Sequence, residues 1–342
     1  MLIAAREREP FRPIEHRFFC AMAAVLCLLV ASSALAQTLY LDEQFGFTLT
    51  TGVIFASKPV GVPATDMDLR LELYEPSGVG VPSSRPVVVA IHGGGFTSGS
   101  RFSSTQIGTC ERMARRGWTC ISIDYRLTSD DPVVAPAYEA MEAVISSFDP
   151  VLAAAIAAAC EDTVAALEWL IANEIALDID TTRIGLAGYS AGGALTQFVP
   201  YLLDDTGVTI PVLPLAVFNL AGSFDPGVNI VAPGDPAAIL VHGDLDTTVD
   251  PLGSIAMANQ FEAAGIPYEL NILPGKTHSI DIFSDEVAPG ETIFDRVVPF
   301  FVTYVANGPV APAVPALDGF GLMGLVLLLI GGASRALRPA SR

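Results

Sequence analysis

A glycine-flanked serine at residues 188–192 constrains the fold of this chain more than any other stretch. An apolar run leads into Gly188-Tyr189-Ser190-Ala191-Gly192, and a helix-like segment follows. This is the pattern G-x-S-x-G between a strand and a helix, in which a serine on a strained turn projects its hydroxyl above a sheet edge. The glycines let strand and helix approach where a Cβ would clash. Because the bare pattern also occurs by chance, its meaning depends on the rest of the chain.

Short apolar runs alternate with helical stretches throughout, which predicts an α/β fold with a mostly parallel central sheet and helices on both faces. The continuous apolar run Val87–Ile91 is typical of a buried parallel strand. Asp68–Tyr74 alternates with a period of two, like a half-buried edge strand. Other predicted strands cover 48–55, 118–124, 213–220, 237–241 and 268–273, and predicted helices cover 103–116, 151–175, 191–203, 253–264 and 294–305. Residues 128–150 are expected to form an irregular loop or small cap on the substrate side.

The run Val87–Ile91 leads into His92-Gly93-Gly94-Gly95-Phe96. Three consecutive glycines leave backbone N–H groups exposed, as a site that stabilises developing negative charge requires. An ordinary glycine-rich loop is the alternative. A phosphate-binding loop is disfavoured because no G-K-[ST] follows.

A serine hydroxyl needs a base to accept its proton, and the base needs a third group to orient it. Beyond residue 36 the chain has only three histidines. His92 opens the glycine loop and His242 ends a predicted strand, so both suit structural or loop-orienting roles. His278 lies in the loop after the strand 268–273 and can reach over the sheet edge. It is therefore the predicted base for Ser190.

The acid is expected on the loop after the preceding strand, where Asp244, Asp246 and Asp250 all qualify. Asp246 is the predicted orienting carboxylate. Asp244 follows the strand so closely that it suits a turn cap. Asp250 precedes Pro251 and suits the start of the next helix.

The order Ser190, Asp246, His278 is that of the α/β-hydrolase triad. Together with the two glycine motifs, the chain over about residues 68–306 resembles the carboxylesterase/lipase branch of the α/β-hydrolase superfamily. The segments 124–127 (Asp-Tyr-Arg-Leu) and 242–249 support the resemblance. It implies an acyl-enzyme mechanism without metal or cofactor, with the N–H groups of Gly94, Gly95 and Ala191 as oxyanion donors. Tyr189 departs from many relatives, which carry an acidic or other polar residue there.

The length of one connection between predicted strands bears on the substrate, and two alternative functions are considered beside it. About twenty residues separate the predicted strands near Asn219 and Ala237, too few for a large lid domain. We therefore expect an accessible site and short-chain or small esters, either free small molecules or groups linked to polysaccharide. A serine peptidase of the prolyl-oligopeptidase type is one alternative, although its usual extra domain is missing. A non-catalytic binding module on a hydrolase fold is the other.

Both ends of the chain predict export. Residues 1–36 combine arginines, an apolar run and Ala34-Leu35-Ala36, as in a cleaved signal peptide, with an uncleaved anchor as the alternative. A catalytic domain at 37–306 and a Pro/Gly/Ala linker at 307–316 are followed by an apolar segment with a basic tail at 317–342. From Val314 onward, this end resembles bacterial sorting signals of the IPTL type, which implies a membrane or sorting protease as a partner. A permanent anchor is the alternative. The expected location is the periplasm, the cell surface or the medium, with transient anchoring by the C-terminal segment.

Charge and cysteines set two further limits. The net charge of −19 disfavours nucleic acid as a partner. Beyond residue 36, Cys110, Cys120 and Cys160 permit one disulfide in an exported protein, and their pairing stays open. Cys120 is expected to be buried and inert, and no cysteine has the spacing of a metal ligand.

Overall fold

The computed structural model describes residues 39–145, 149–203, 206–223 and 228–308. The predicted signal peptide at 1–36 and the C-terminal segment at 317–342 lie outside these residues, as does most of the linker. Those boundaries remain predictions.

The main sheet has eight strands in the order β1-β2-β4-β3-β5-β6-β7-β8. The strands β1 to β4 are Gly46–Val60, Thr65–Ser77, Arg85–Ile91 and Thr119–Ile123, and β5 to β8 are Ile179–Tyr189, Ala216–Leu220, Ala237–Gly243 and Tyr268–Leu273. Strand β2 pairs antiparallel with both β1 and β4, and the remaining pairs are parallel. The predicted α/β fold with a mostly parallel sheet is confirmed. The carboxyl ends of the parallel strands share one edge, where loops can bring side chains together.

Helices cover both faces of the sheet. They are α1 Ser104–Arg115, α2 Pro136–Val144, α3 Pro150–Ala172, α4 Ala191–Gln197, α5 Pro251–Ala264 and α6 Ile293–Phe301. One turn of π-helix extends α4 over Phe198–Leu202, and another extends α6 over Val302–Ala306. Helices α1 and α6 pack in one buried apolar cluster, and α3, α4 and α5 pack in another. Strand β3 contributes to both, with Val87, Val89 and Ile91 on one face and Val88 and Ala90 on the other.

Two parts of the chain differ from the sequence-based expectation. The described residues of 128–150 are not all irregular, because they include a 3₁₀ turn at Thr128–Asp130 and the whole of α2. Pro136 begins that helix rather than breaking it, since a proline in the first turn loses no intrahelical hydrogen bond. A short hairpin of β9, Glu286–Ala288, and β10, Glu291–Thr292, precedes α6 and was not predicted.

Helix α3 is held against the sheet by a buried charge cluster. The guanidinium of Arg126 is fully buried and contacts Glu161 at 2.7 Å and Asp162 at 2.8 Å. Lys58 of β1 pairs with Glu161 at 2.9 Å. Removing one partner of such a cluster would leave an unpaired buried charge, so the cluster fixes the position of α3. Among the described helices, α3 alone is long and apolar enough to cross a membrane, but most of it is buried within the protein, as in a core helix.

The structure decides the cysteine pairing. Cys110 of α1 and Cys120 of β4 form a disulfide, and Cys160 of α3 is a buried free cysteine. The expectation that Cys120 is inert therefore needs correction, because it is buried but bonded. Cys160 packs in the apolar cluster on the other face of the sheet, so it cannot reach Cys110.

Candidate active site

Ser190 lies between β5 and α4 in a backbone conformation that a side chain rarely adopts. Its φ is 55° and its ψ is −117°, and its N–H donates to the carbonyl of Leu220 at 2.8 Å. A Cβ on Gly192 would approach the carbonyl oxygen of Ile91 to 2.1 Å, so only glycine lets α4 start this close to β3. The turn therefore has the geometry that the G-x-S-x-G pattern predicts.

The three predicted triad residues form one hydrogen-bonded chain. His278, in the loop after β8, places Nε2 2.8 Å from Ser190 Oγ and Nδ1 2.7 Å from Asp246 Oδ2. The structure brings Asp246, rather than its neighbours, against His278. Asp244 instead accepts from the N–H of Gly275 at 2.6 Å, and Asp250 caps the start of α5.

The environment of Asp246 favours its ionised form. Burial acts to raise the pKa of Asp246, but hydrogen bonds from the Val249 N–H, His278 and the Thr248 N–H outweigh burial and hold that pKa below its ordinary value. The N–H groups of Thr248 and Val249 both donate to Oδ1, at 2.8 Å and 3.0 Å respectively. With a carboxylate at Nδ1, the proton of neutral His278 resides there, and Nε2 is left to accept the hydroxyl proton of Ser190.

The glycine loop after β3 lies beside the serine. Gly94, Gly95 and Ala191, the predicted oxyanion donors, line the same cavity as Ser190. Gly94 has a φ of +123°, and a Cβ there would lie 1.9 Å from the carbonyl oxygen of Ser98. The loop conformation therefore requires glycine at this position, and it keeps the backbone next to the serine free of side chains.

Tyr125 packs against His92 at the start of the glycine loop, a role that the sequence did not reveal. Its hydroxyl donates to the carbonyl of His92 at 3.0 Å, and its ring stacks on the imidazole with centroids 4.2 Å apart. Burial lowers the pKa of His92, so this histidine is a neutral packing residue. The segment 124–127 (Asp-Tyr-Arg-Leu) could have indicated a supporting role for Tyr125, because it directly follows the buried strand β4.

Tyr189 contacts the histidine of the triad. Its hydroxyl donates to the backbone carbonyl of His278 at 2.8 Å, and the two rings stack with centroids 5.4 Å apart. Burial raises the pKa of Tyr189, so the phenol keeps the proton it donates. Tyr189 therefore holds the loop that carries His278.

The serine opens into an apolar cavity of about 750 Å³. This volume is within the range of sites that hold small organic ligands. None of the described residues that line it is an Asp, Glu, Lys or Arg. Its other lining residues include Phe96, Leu152 and Ile156 of α3, and Ala194 and Phe198 of α4 and its extension.

A nucleophile turn after β5, an acid after β7 and a histidine after β8 on this sheet define an α/β-hydrolase fold. Residues 71–148 match the family described as BD-FAE, and residues 152–229 match the family described as alpha/beta hydrolase fold. These matches support membership of the α/β-hydrolase superfamily.

Similar proteins include carboxylesterases and esterases. The chain is 28% identical over 140 residues to carboxylesterase NlhH of Mycobacterium tuberculosis, covering 41% of this chain and 36% of that protein. It is 31% identical over 173 residues to an arylesterase of Saccharolobus solfataricus, covering 48% of each. The matched part thus spans half or less of these relatives. The propionate-bound Est2 esterase of Thermogutta terrifontis superposes with a TM-score of 0.57 at 19% identity, covering 78% of this chain and 97% of that one.

Proposed function

We propose that this protein hydrolyses uncharged carboxylic esters through an acyl-enzyme formed on Ser190. The observation that carries the proposal is the chain Ser190–His278–Asp246, with contacts of 2.8 and 2.7 Å, opening into an apolar cavity. The named relatives, a carboxylesterase and an arylesterase, support the same reaction class.

The geometry supports a two-step reaction. His278 Nε2 accepts the hydroxyl proton as Ser190 Oγ attacks the ester carbonyl, and Asp246 stabilises the imidazolium that forms. The N–H groups of Gly94, Gly95 and Ala191 stabilise the tetrahedral oxyanion. The imidazolium then protonates the leaving alcohol, and a water molecule repeats these steps on the acyl-enzyme to release the acid and restore Ser190.

Short-chain or small esters are the proposed substrates, either free or linked to polysaccharide. The described residues between β6 and β7, 221–223 and 228–236, form neither helix nor strand, which supports a site without a large lid. The described lining contains no Asp, Glu, Lys or Arg and so favours neutral acyl groups, because a buried charge without a partner would be costly there.

The direct test uses the full-length protein on p-nitrophenyl acetate, butyrate, octanoate and palmitate. We expect a rate that is highest at acetate or butyrate and is lost in Ser190→Ala, while the exposed control Ser57→Ala keeps the wild-type rate. A maximum at octanoate or longer would contradict the short-chain proposal alone. A folded protein that shows no serine-dependent rate and no labelling by a fluorophosphonate would contradict the esterase proposal and favour a binding module.

We further propose that the protein is exported and held transiently at the membrane by its C-terminal segment. The Cys110–Cys120 disulfide supports an oxidising compartment. Cell fractionation with mass analysis tests this proposal, and we expect exported protein that starts at Gln37 and lacks free thiols at both positions. Recovery of the unprocessed chain in the cytoplasm with both thiols reduced would refute it.

A further inference from the structure

The hydrogen-bonded chain of the site continues beyond Asp246 to two buried residues. His242, at the end of β7, is fully buried, and Ser254, in the first turn of α5, is 1% exposed. His242 Nε2 lies 3.1 Å from Asp246 Oδ2, and His242 Nδ1 lies 2.8 Å from Ser254 Oγ. The sequence of contacts from Ser254 to Ser190 thus passes through two histidines that share one carboxylate.

The network assigns a single tautomer to His242. Its Nε2 faces two acceptors, Asp246 Oδ2 and the Val249 carbonyl, both at 3.1 Å, so the proton must be on Nε2. Its Nδ1 then accepts from the Ser254 hydroxyl at 2.8 Å, since the other acceptor near that hydroxyl, the Gly222 carbonyl, is farther away at 3.4 Å. Burial lowers the pKa of His242 and outweighs the opposing hydrogen bonds to Val249 and Asp246, which keeps the ring neutral. The titratable groups that act on His242 are Asp246 and His278.

We propose that His242 and Ser254 are positioning residues for the ester hydrolysis proposed above. Ser254 holds His242 in the Nε2–H tautomer, and His242 holds the Asp246 oxygen that orients His278. If His242 adopted the other tautomer, an unprotonated nitrogen would face two oxygen acceptors, and Asp246 would lose a donor.

The shared oxygen makes this role distinguishable from packing. Asp246 Oδ2 accepts from both histidines, at 3.1 and 2.7 Å. When the His242 N–H is removed, it no longer offsets part of the negative charge on that oxygen. The oxygen then stabilises the protonated form of His278 more strongly. The acid limb of the pH profile of kcat/KM therefore moves to higher pH. A substitution that only loosens the core lowers the rate without moving that limb.

The kinetic test compares His242→Leu, His242→Gln and Ser254→Ala in the full-length protein. Loss of a hydrogen bond to a charged group predicts that kcat/KM falls roughly 10- to 100-fold in His242→Leu. Gln can place an amide donor near the Nε2 position, so His242→Gln should retain more activity and the wild-type acid limb. Ser254→Ala should lose about fivefold, the effect of one neutral hydrogen bond. The control Thr163→Val removes a buried hydroxyl on α3 that donates to the carbonyl of Ala159 in the same helix at 2.8 Å, and the profile should not change.

A second measurement does not require turnover. The sequence has four histidines, so imidazole ¹⁵N resonances can be assigned by substitution. We expect His242 to be in the Nε2–H form, and to populate the other tautomer in Ser254→Ala. An Nδ1–H form in the wild type would overturn the proposal even if the variants did not fold. An active wild type whose His242→Leu keeps its acid limb would also overturn it, whereas an inactive wild type with the expected tautomer would refute only the esterase.

Discussion

Ser190 should be a site where glycine stabilises the protein relative to alanine, the reverse of the usual order. Its φ of 55° is in the region that side chains rarely adopt. Strain of this kind costs about 1–3 kcal/mol in the folded state. Replacing alanine by glycine elsewhere lowers stability by about 0.4–1 kcal/mol, because glycine gives the unfolded chain more freedom. The difference predicts that Ser190→Gly is more stable than Ser190→Ala by roughly 0.5–2 kcal/mol.

Urea unfolding of the two variants measures this difference directly. Both lose the hydroxyl and its bond to His278, so that contact cancels in the comparison. Ala157 offers the matched control, because it is a buried residue within α3. There, Ala157→Gly should lower the free energy of unfolding by about 1 kcal/mol. If Ser190→Gly is also less stable than Ser190→Ala, the turn is not strained and the reasoning fails.

Three further predictions concern the cavity, the histidine loop and pH. Ile156→Trp should fill the cavity between α3 and α4 and reduce any octanoate hydrolysis about tenfold more than acetate hydrolysis, whereas Val151→Trp, on the exposed part of α3, should leave the ratio unchanged. Tyr189→Phe should lower kcat/KM about fivefold by removing one neutral hydrogen bond while keeping the stacked ring. Because the folded pKa of Asp246 is below the ordinary value of 3.8, its contribution to stability is present above that pH and is lost as pH falls through the folded value. In acid unfolding, the free energy of unfolding of the wild type should therefore fall between pH 3.8 and the lower folded pKa, whereas that of Asp246→Asn should not show this fall.

Each of these predictions has a distinct contrary outcome. Equal loss on both esters in Ile156→Trp would place the acyl group outside the cavity. An unchanged rate in Tyr189→Phe would mean that the phenol does not hold the histidine loop. Identical acid-unfolding profiles of the wild type and Asp246→Asn would show that the carboxylate gains nothing from its donors in the folded state.

Local sequence patterns sufficed for the order of most elements, although not for α2, β9 and β10, and they were enough to nominate a triad. The central strands contain short apolar runs that can be recognised without reference to their partners, as Val87–Ile91 illustrates, whereas β2 shows a period of two instead. The turn around Ser190 is specified within five residues. His278 could be singled out because few histidines compete with it. Where a pattern was ambiguous, as in the proline-containing segment before α3, the sequence could not separate a loop from a helix that begins with proline.

The tertiary structure alone decided which side chains meet. The sequence offered Asp244, Asp246 and Asp250 as candidates for the acid, and it is the loop geometry that brings Asp246 Oδ2 to 2.7 Å from His278 Nδ1. The contacts of His242 with Ser254, and of Tyr189 with His278, join residues on different elements, so no local pattern encodes them. The cysteine pairing has the same cause, since α1 folds back over β4 and Cys160 lies on the opposite face. Sequence determines each element through its own periodicity, whereas contacts between elements depend on how all of them pack.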